Sequence, residues 1–206
     1  MDDLFHEAPS DTREEILHAA FVVLQEHGYA GLSIKRIADE VGLQKASVYH
    51  HYSNKDDLLF CFLEFVLDRV EEKIVQSSEL EPLEQLYMFI DHILVGEKVS
   101  IASTEHEPPS DEAIGAFVQV RAQAVHDAEF RERITTVDQT HHNQLVSIIE
   151  RGIEEGNLRD VDPDPIAATL LTLLVGGFSR RVTTNDPDLE QVRDRAVEYI
   201  EQTLCE

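Results

Sequence analysis

Residues 33–55, SIKRIADEVGLQKASVYHHYSNK, decide how the chain is read. Ile34, Ile37, Ala38 and Val41 recur at helical spacing and put an apolar stripe on one side of a short helix. Ser33 stands just ahead of it as an N-cap, with a hydroxyl able to accept an orphan backbone N–H. Gly42 follows where a positive φ is needed to stop that helix and turn the chain. A second helix then begins, with Leu43 and Val48 facing the first and Gln44, Lys45, Ser47, Tyr49 and His50 pointing outward. Ala38 is small enough for the second helix to cross close over the first. Two short helices about a tight turn form a helix-turn-helix pattern.

The outward set suits duplex DNA. Lysine neutralises phosphate, glutamine and serine can bond base edges or backbone, and tyrosine offers a hydroxyl and a flat apolar face. The histidines His50 and His51 add donors near phosphate, and Ser53-Asn54 caps a long following helix with Lys55 in its first turn. A helix N-terminus carrying a lysine can clamp phosphate.

The flanks narrow the reading. VYHHYSNKDDLL, residues 48–59, resembles the stretch that closes the DNA-binding domain of TetR/AcrR-family transcriptional regulators, and TREEILHAAFVVLQEHGYAGLSIKRIADEVGL, residues 12–43, resembles that domain's first two helices. The resemblance implies an all-α fold with a three-helix DNA-binding head and a helical regulatory body. It also implies a sequence-specific regulator, of the repressor kind, that leaves a palindromic operator when a small-molecule effector binds. The DNA-facing set is then Ser33, Lys35, Gln44, Lys45, Ser47, Tyr49, His50, His51 and Lys55, with Lys55 at the family's phosphate-contacting position. For the effector pocket the body offers Phe89, His92, Ile93, Phe117, Arg121, Gln123, His141 and Gln144, each equally readable as plain core or surface. For a homodimer built from the last two helices it offers Ala167, Leu170, Leu171, Leu174, Gly177, Phe178, Val192, Ala196 and Ile200. Two-fold pairing would set the recognition helices about 34–36 Å apart, one turn of DNA.

Along the chain, residues 1–10 read as a frayed arm, 11–57 as the head and 58–206 as the body. Thr12 opens the first helix with Glu15 as a capping box, and Ile16, Leu17, Ala20, Phe21 and Leu24 share one face. Phe60, Leu63, Val66, Leu67, Val70 and Ile74 give the helix after Lys55 its apolar face, and Pro82 starts a further helix that runs until residues 105–110 break it. Asp111 opens another, Asp127 to Phe130 is a kink, and a long helix follows from Arg131. In VDPDP, residues 161–165, Asp164 is read as the cap of the penultimate helix; the last runs from Pro187 to Leu204.

Composition bounds the alternatives. Against 41 acids stand 17 bases, a net charge of −24 that runs counter to nucleic-acid binding. Its distribution restores the case, because Lys35, Arg36, Lys45 and Lys55 outnumber Asp39 and Glu40 within the decisive stretch. Acidity elsewhere resembles that of proteins from salt-loving organisms, whose surfaces hold water and cations. The start MDDLFHEAPSD is acidic where a secretory signal is basic, the apolar run Ile166–Phe178 is short for a membrane span, and Cys61 and Cys205 lie far apart, so a reducing cytoplasm is expected. His141 and His142, adjacent on a helix, point about 100° apart and cannot share one ion unaided. Glu105-His106-Glu107 reads as loop, and no metal or cofactor is implied. Nucleophile elbows, phosphate-cradling glycine loops and cysteine clusters are missing from the sequence, so no enzyme is expected. A helical protein-binding adaptor, or a ligand-binding protein that does not bind DNA, is the alternative function, and the basic island speaks against it.

Overall fold

A computed structural model describes residues 9–76, 79–96, 99–101, 104–106 and 108–205, with side chains described for all of these except 66–76, 99–101 and 104–106. Among them run α1 (Thr12–Gly31), α2 (Ile34–Val41), α3 (Lys45–His51), α4 (Lys55–Gln76), α5 (Pro82–Ile90), α6 (Asp111–Gln123), α7 (Ala128–Glu154), α8 (Pro163–Thr183) and α9 (Leu189–Leu204). The all-helical expectation holds except for one hairpin, β1 (Val99–Ile101) paired antiparallel with β2 (Thr104–His106), Ser100 opposite Glu105. That hairpin replaces the helix expected to continue toward residue 105. A π-helical turn, Asp91–Val95, ends α5, and Gly96 at φ 76° closes it. Val66, Leu67, Val70 and Ile74, expected on the apolar face of α4, and the Glu105-His106-Glu107 cluster lie outside the described side chains.

The caps show what local sequence can and cannot say. Ser33 accepts the Arg36 N–H, and Gly42 sits at φ 75° after α2, as read above. At α1 the cap is Asp11 rather than Thr12: the Asp11 carboxylate accepts the Glu14 N–H at 2.9 Å. At α8 it is Asp162 rather than Asp164, with Pro163 and Pro165 both in the first turn. The long α7 starts three residues before the expected Arg131, because Asp127 accepts N–H groups from Glu129 and Phe130. Where two acids or an acid and a threonine lie side by side, backbone angles choose between them. Asp11 is extended at φ −153°, ψ 173°.

Packing divides the chain into two units. The first holds the described residues through Glu71 together with Ser110–Ile134. Its core joins Ile16, Phe21 and Leu24 of α1, Ile37 and Ala38 of α2, Val48 of α3, and Leu58, Leu59 and Phe62 of α4, all buried. The Phe21 and Phe62 rings stack at 5.9 Å, and Phe60 meets Phe130 at 4.6 Å. Helix α6 packs along α1 and adds Ala113, Ala116 and Val120 to this core. The expected boundary at residue 57 therefore cuts through packing, since the head carries α6 as well.

The second unit holds Glu72–Pro109 and Thr135–Glu206. Leu86, Ile90 and Leu94 meet Ile149, Leu170 and Leu174 there, closed by Ala196, Ile200 and Leu204 of α9. Asp91 in the π turn takes both Nε and Nη2 of Arg193, at 2.6 and 3.3 Å, which ties α9 to that turn. Arg151 donates to the Leu80 carbonyl and to the buried Gln85 side chain, fixing the chain entering α5.

Candidate nucleic-acid interface

Val48 is fully buried beneath α3 and anchors it against α2, so the remaining residues of this seven-residue helix face outward. Gln44, Lys45, Tyr49, His50 and His51 are exposed and Ser47 is half-buried; Tyr49, at 54% exposure, is a large aromatic left open to solvent. A tyrosine so exposed among polar neighbours is what contact with base edges and sugars calls for. His50 and His51, one of which could have turned inward, both stay outside, their rings edge to face at 5.5 Å.

The four bases of the island divide into two kinds. Lys35 and Lys45 are exposed and engage no other group among the described residues. Arg36 is turned back on its own head, donating from Nη1 to the Gly31 carbonyl. Lys55, expected to reach phosphate, instead donates from Nζ to the Tyr29 carbonyl at 2.9 Å and lies 3.6 Å from the centre of the Tyr29 ring. Burial lowers its pKa from the ordinary lysine value. Its short reach follows from the fold, which brings the C-terminal end of α1 against the start of α4. Arg13 is likewise engaged, donating to Cys61 Sγ at 3.3 Å while its carbonyl accepts the Tyr52 hydroxyl at 3.1 Å.

Two residues missed in the sequence complete this region. Gln119 of α6 accepts the Tyr29 N–H at 2.8 Å. Nothing in a periodicity marks either residue, for they lie 90 positions apart. Gly28, at φ 65° and ψ 176°, breaks α1 just before Tyr29 and leaves that N–H pointing out of the helical ladder.

The expected body sites are placed differently from each other. Of the eight pocket candidates, Phe117, Arg121 and Gln123 belong to the first unit and Phe89, His92, Ile93, His141 and Gln144 to the second. Phe117 packs against the head core, and Gln123 bonds back to the Gln119 carbonyl of its own helix. Phe89 and Ile93 pack against the second core, where the Nε2 atoms of His92 and His141 and Oε1 of Gln144 are enclosed. Of the nine interface candidates, Ala167, Leu170, Leu174, Gly177, Ala196 and Ile200 are already buried inside the single chain. They face the core of their own chain, a side that a fully apolar helix does not reveal in its sequence. Leu171, Phe178 and Val192 remain half-exposed. Among the described residues no group of three or more His, Cys, Asp or Glu is placed to hold a metal ion.

A two-helix reader carried on a helical head, in a chain that also holds a second helical unit, defines the helix-turn-helix class of DNA-binding regulators. Residues 16–60 match the model for bacterial regulatory proteins of the TetR family, and residues 97–204 match that for the C-terminal domain of BetI-type transcriptional repressors. The crystal structure of a TetR transcription regulator from Haloarcula marismortui is 34% identical, with a TM-score of 0.81 over 95% of this chain and 99% of that one. The transcriptional repressor AcnR of Corynebacterium diphtheriae is 23% identical over 91% of this chain and 90% of its own. KstR2 of Mycobacterium tuberculosis, also a transcriptional repressor, is 29% identical over 74% and 72%. The chain belongs to the TetR family and is a DNA-binding transcriptional repressor. That family is one of regulators rather than enzymes.

Proposed function

We propose that this repressor works as a homodimer on a roughly palindromic operator, reads it with α3 and the start of α2, and leaves it when a small effector binds the C-terminal unit. The observation that carries the DNA reading is the fully buried Val48 beneath an exposed face of Gln44, Lys45, Tyr49 and His50. Ser33 and Lys35 at the start of α2, with Ser47 and His51, extend that face toward the backbone of the duplex, in the pattern of phosphate contacts that position and base contacts that specify.

Support for two-fold assembly comes from α8. By length and composition this 21-residue helix could cross a bilayer, yet only 28% of its most apolar window is buried in the single chain. Its Ile166, Ala167, Leu170 and Leu174 side enters the core. The opposite side leaves Ala168, Thr172 and Gly176 exposed and Leu171 and Val175 half-exposed, small enough for a second α8 to approach closely. A second copy is the occupant this face suits, with Phe178 and Val192 at its edge.

An effector is supported by polar and apolar groups drawn together in the second unit: Phe89 and Ile93 pack against its core, and Nε2 of His92 and of His141 and Oε1 of Gln144 are buried there. Selection of binding sites from random duplex DNA tests the reading. A roughly palindromic site bound by two chains is expected, and half-sites bound singly would remove the dimer from it. Adding acyl thioesters, flavonoids or lipophilic drugs to the bound complex, while following both thermal stability and release, tests the effector.

A further inference from the structure

Tyr29 is held at both its backbone N–H and its backbone carbonyl. Its N–H goes to Gln119 Oε1 at 2.8 Å, and its carbonyl accepts Lys55 Nζ at 2.9 Å and the Leu32 N–H at 3.2 Å. Leu32 leads directly into Ser33, the N-cap of α2, and Lys55 opens α4. One residue thus joins the starts of α2 and α4. Gly28 makes the arrangement possible in two ways. Its positive φ releases the Tyr29 N–H from helical bonding, and a Cβ built on it would lie 3.0 Å from Gln119 Oε1. Gln119 is itself braced, since Gln123 Nε2 donates to its carbonyl at 2.9 Å.

We propose that Gln119 is a positioning residue for operator binding: by accepting the Tyr29 N–H it holds the Gly28–Tyr29 turn, and so fixes Tyr29, whose carbonyl ties the starts of α2 and α4 to each other. It touches no DNA in this reading. Without that acceptor a half-buried N–H is left unsatisfied, and the Gly28-Tyr29 turn relaxes to find water. Lys55 and Leu32 are both bonded to the turn's carbonyl and move with it. Because Gln119 lies on α6 and outside the first 71 residues, a displacement of α6 reaches the DNA-facing surface through this bond.

The full-length chain and a DNA site selected from a random pool provide the test, with affinity read by fluorescence anisotropy. Gln119→Leu keeps an apolar stem of similar bulk and removes the acceptor, and is expected to weaken binding by about five-fold if one head is affected and roughly twenty-five-fold if two act together. Gln119→Glu keeps an acceptor oxygen at the same reach and is expected to restore binding to within about two-fold of wild type, a rescue that a general loss of packing would not show. Gln119→Asn, which withdraws the acceptor by one methylene without adding apolar bulk, should behave as the Leu variant does and serves if that variant fails to fold. Amide exchange at Tyr29 should be slow in the wild type and in Gln119→Glu and fast in the other two. Equal affinity for Gln119→Leu and wild type, a Glu variant as weak as Leu, or rapid exchange at Tyr29 in the wild type would each overturn the proposal. A wild type that selects no DNA would instead strike at the DNA-binding reading itself.

Discussion

Lys45 and Lys35 differ from Arg13, Arg36 and Lys55 in engaging no other group among the described residues. Each is expected to release about one counterion per head on binding, so Lys45→Ala should weaken binding to all sequences alike and flatten the salt dependence by nearly two in a dimer. Anisotropy titrations across a range of salt concentrations check this. Replacing Gln44 or Ser47 should change which site is selected, with little effect on the salt slope, and an unaltered selected sequence would remove them from the readout. Tyr52 makes a different residue-scale prediction. It is buried, with its hydroxyl on the Arg13 carbonyl, and burial pushes its pKa up to about 12. The unfolded chain then gives up this proton near pH 10, before the folded one does, so it binds fewer protons and stability falls as pH rises from about 10 to 12. Thermal unfolding at alkaline pH should show that decline, and Tyr52→Phe should lessen it.

At the scale of the element, helix ends were legible wherever one capping residue stood alone. Ser33 and Gly42 bound α2 as their chemistry dictates. Asp11 beside Thr12, and Asp162 beside Asp164, offer equivalent oxygens, and the choice falls to backbone direction. Asp11→Ala should therefore cost about 1 kcal/mol of stability and Thr12→Ala much less, as measured by denaturant unfolding. The π turn was not legible at all. Its five residues read as a continuation of α5, and only the packing of α8 and α9 against them shows why the helix widens there. Gly177 lies in that contact: a Cβ on it would sit 2.1 Å from the buried Leu94 Cδ2. Gly177→Val is expected to cost about 1–3 kcal/mol through overpacking, and Leu94→Ala in the same background should recover part of it.

For the whole molecule, charge sets the conditions under which the site can work. A net charge of −24 opposes approach to DNA at low ionic strength and strains the folded chain by self-repulsion. With Lys35 and Lys45 the cations of the basic island left open on each head among the described residues, two heads release roughly four counterions, and the logarithmic salt slope should lie near −4. Base, aromatic and shape contacts then carry more of the affinity than in a strongly basic reader. A slope near −7 would show that Lys55 and Arg36 leave their own chain for phosphate. Unfolding temperature is expected to rise with added salt as repulsion among the acids is screened, and an unchanged or falling temperature would argue against that account.

Local chemistry written into the chain was enough to determine the helix-turn-helix. A cap, a glycine free to take positive φ and an apolar stripe act over a few residues, and no distant partner can replace them. Which side of α8 enters the core, the attachment of α6 to the head, and the turning of Lys55 onto Tyr29 were decided by tertiary structure alone. Each depends on groups brought together from distant positions, and hydrophobic period or residue type is the same whichever partner is met.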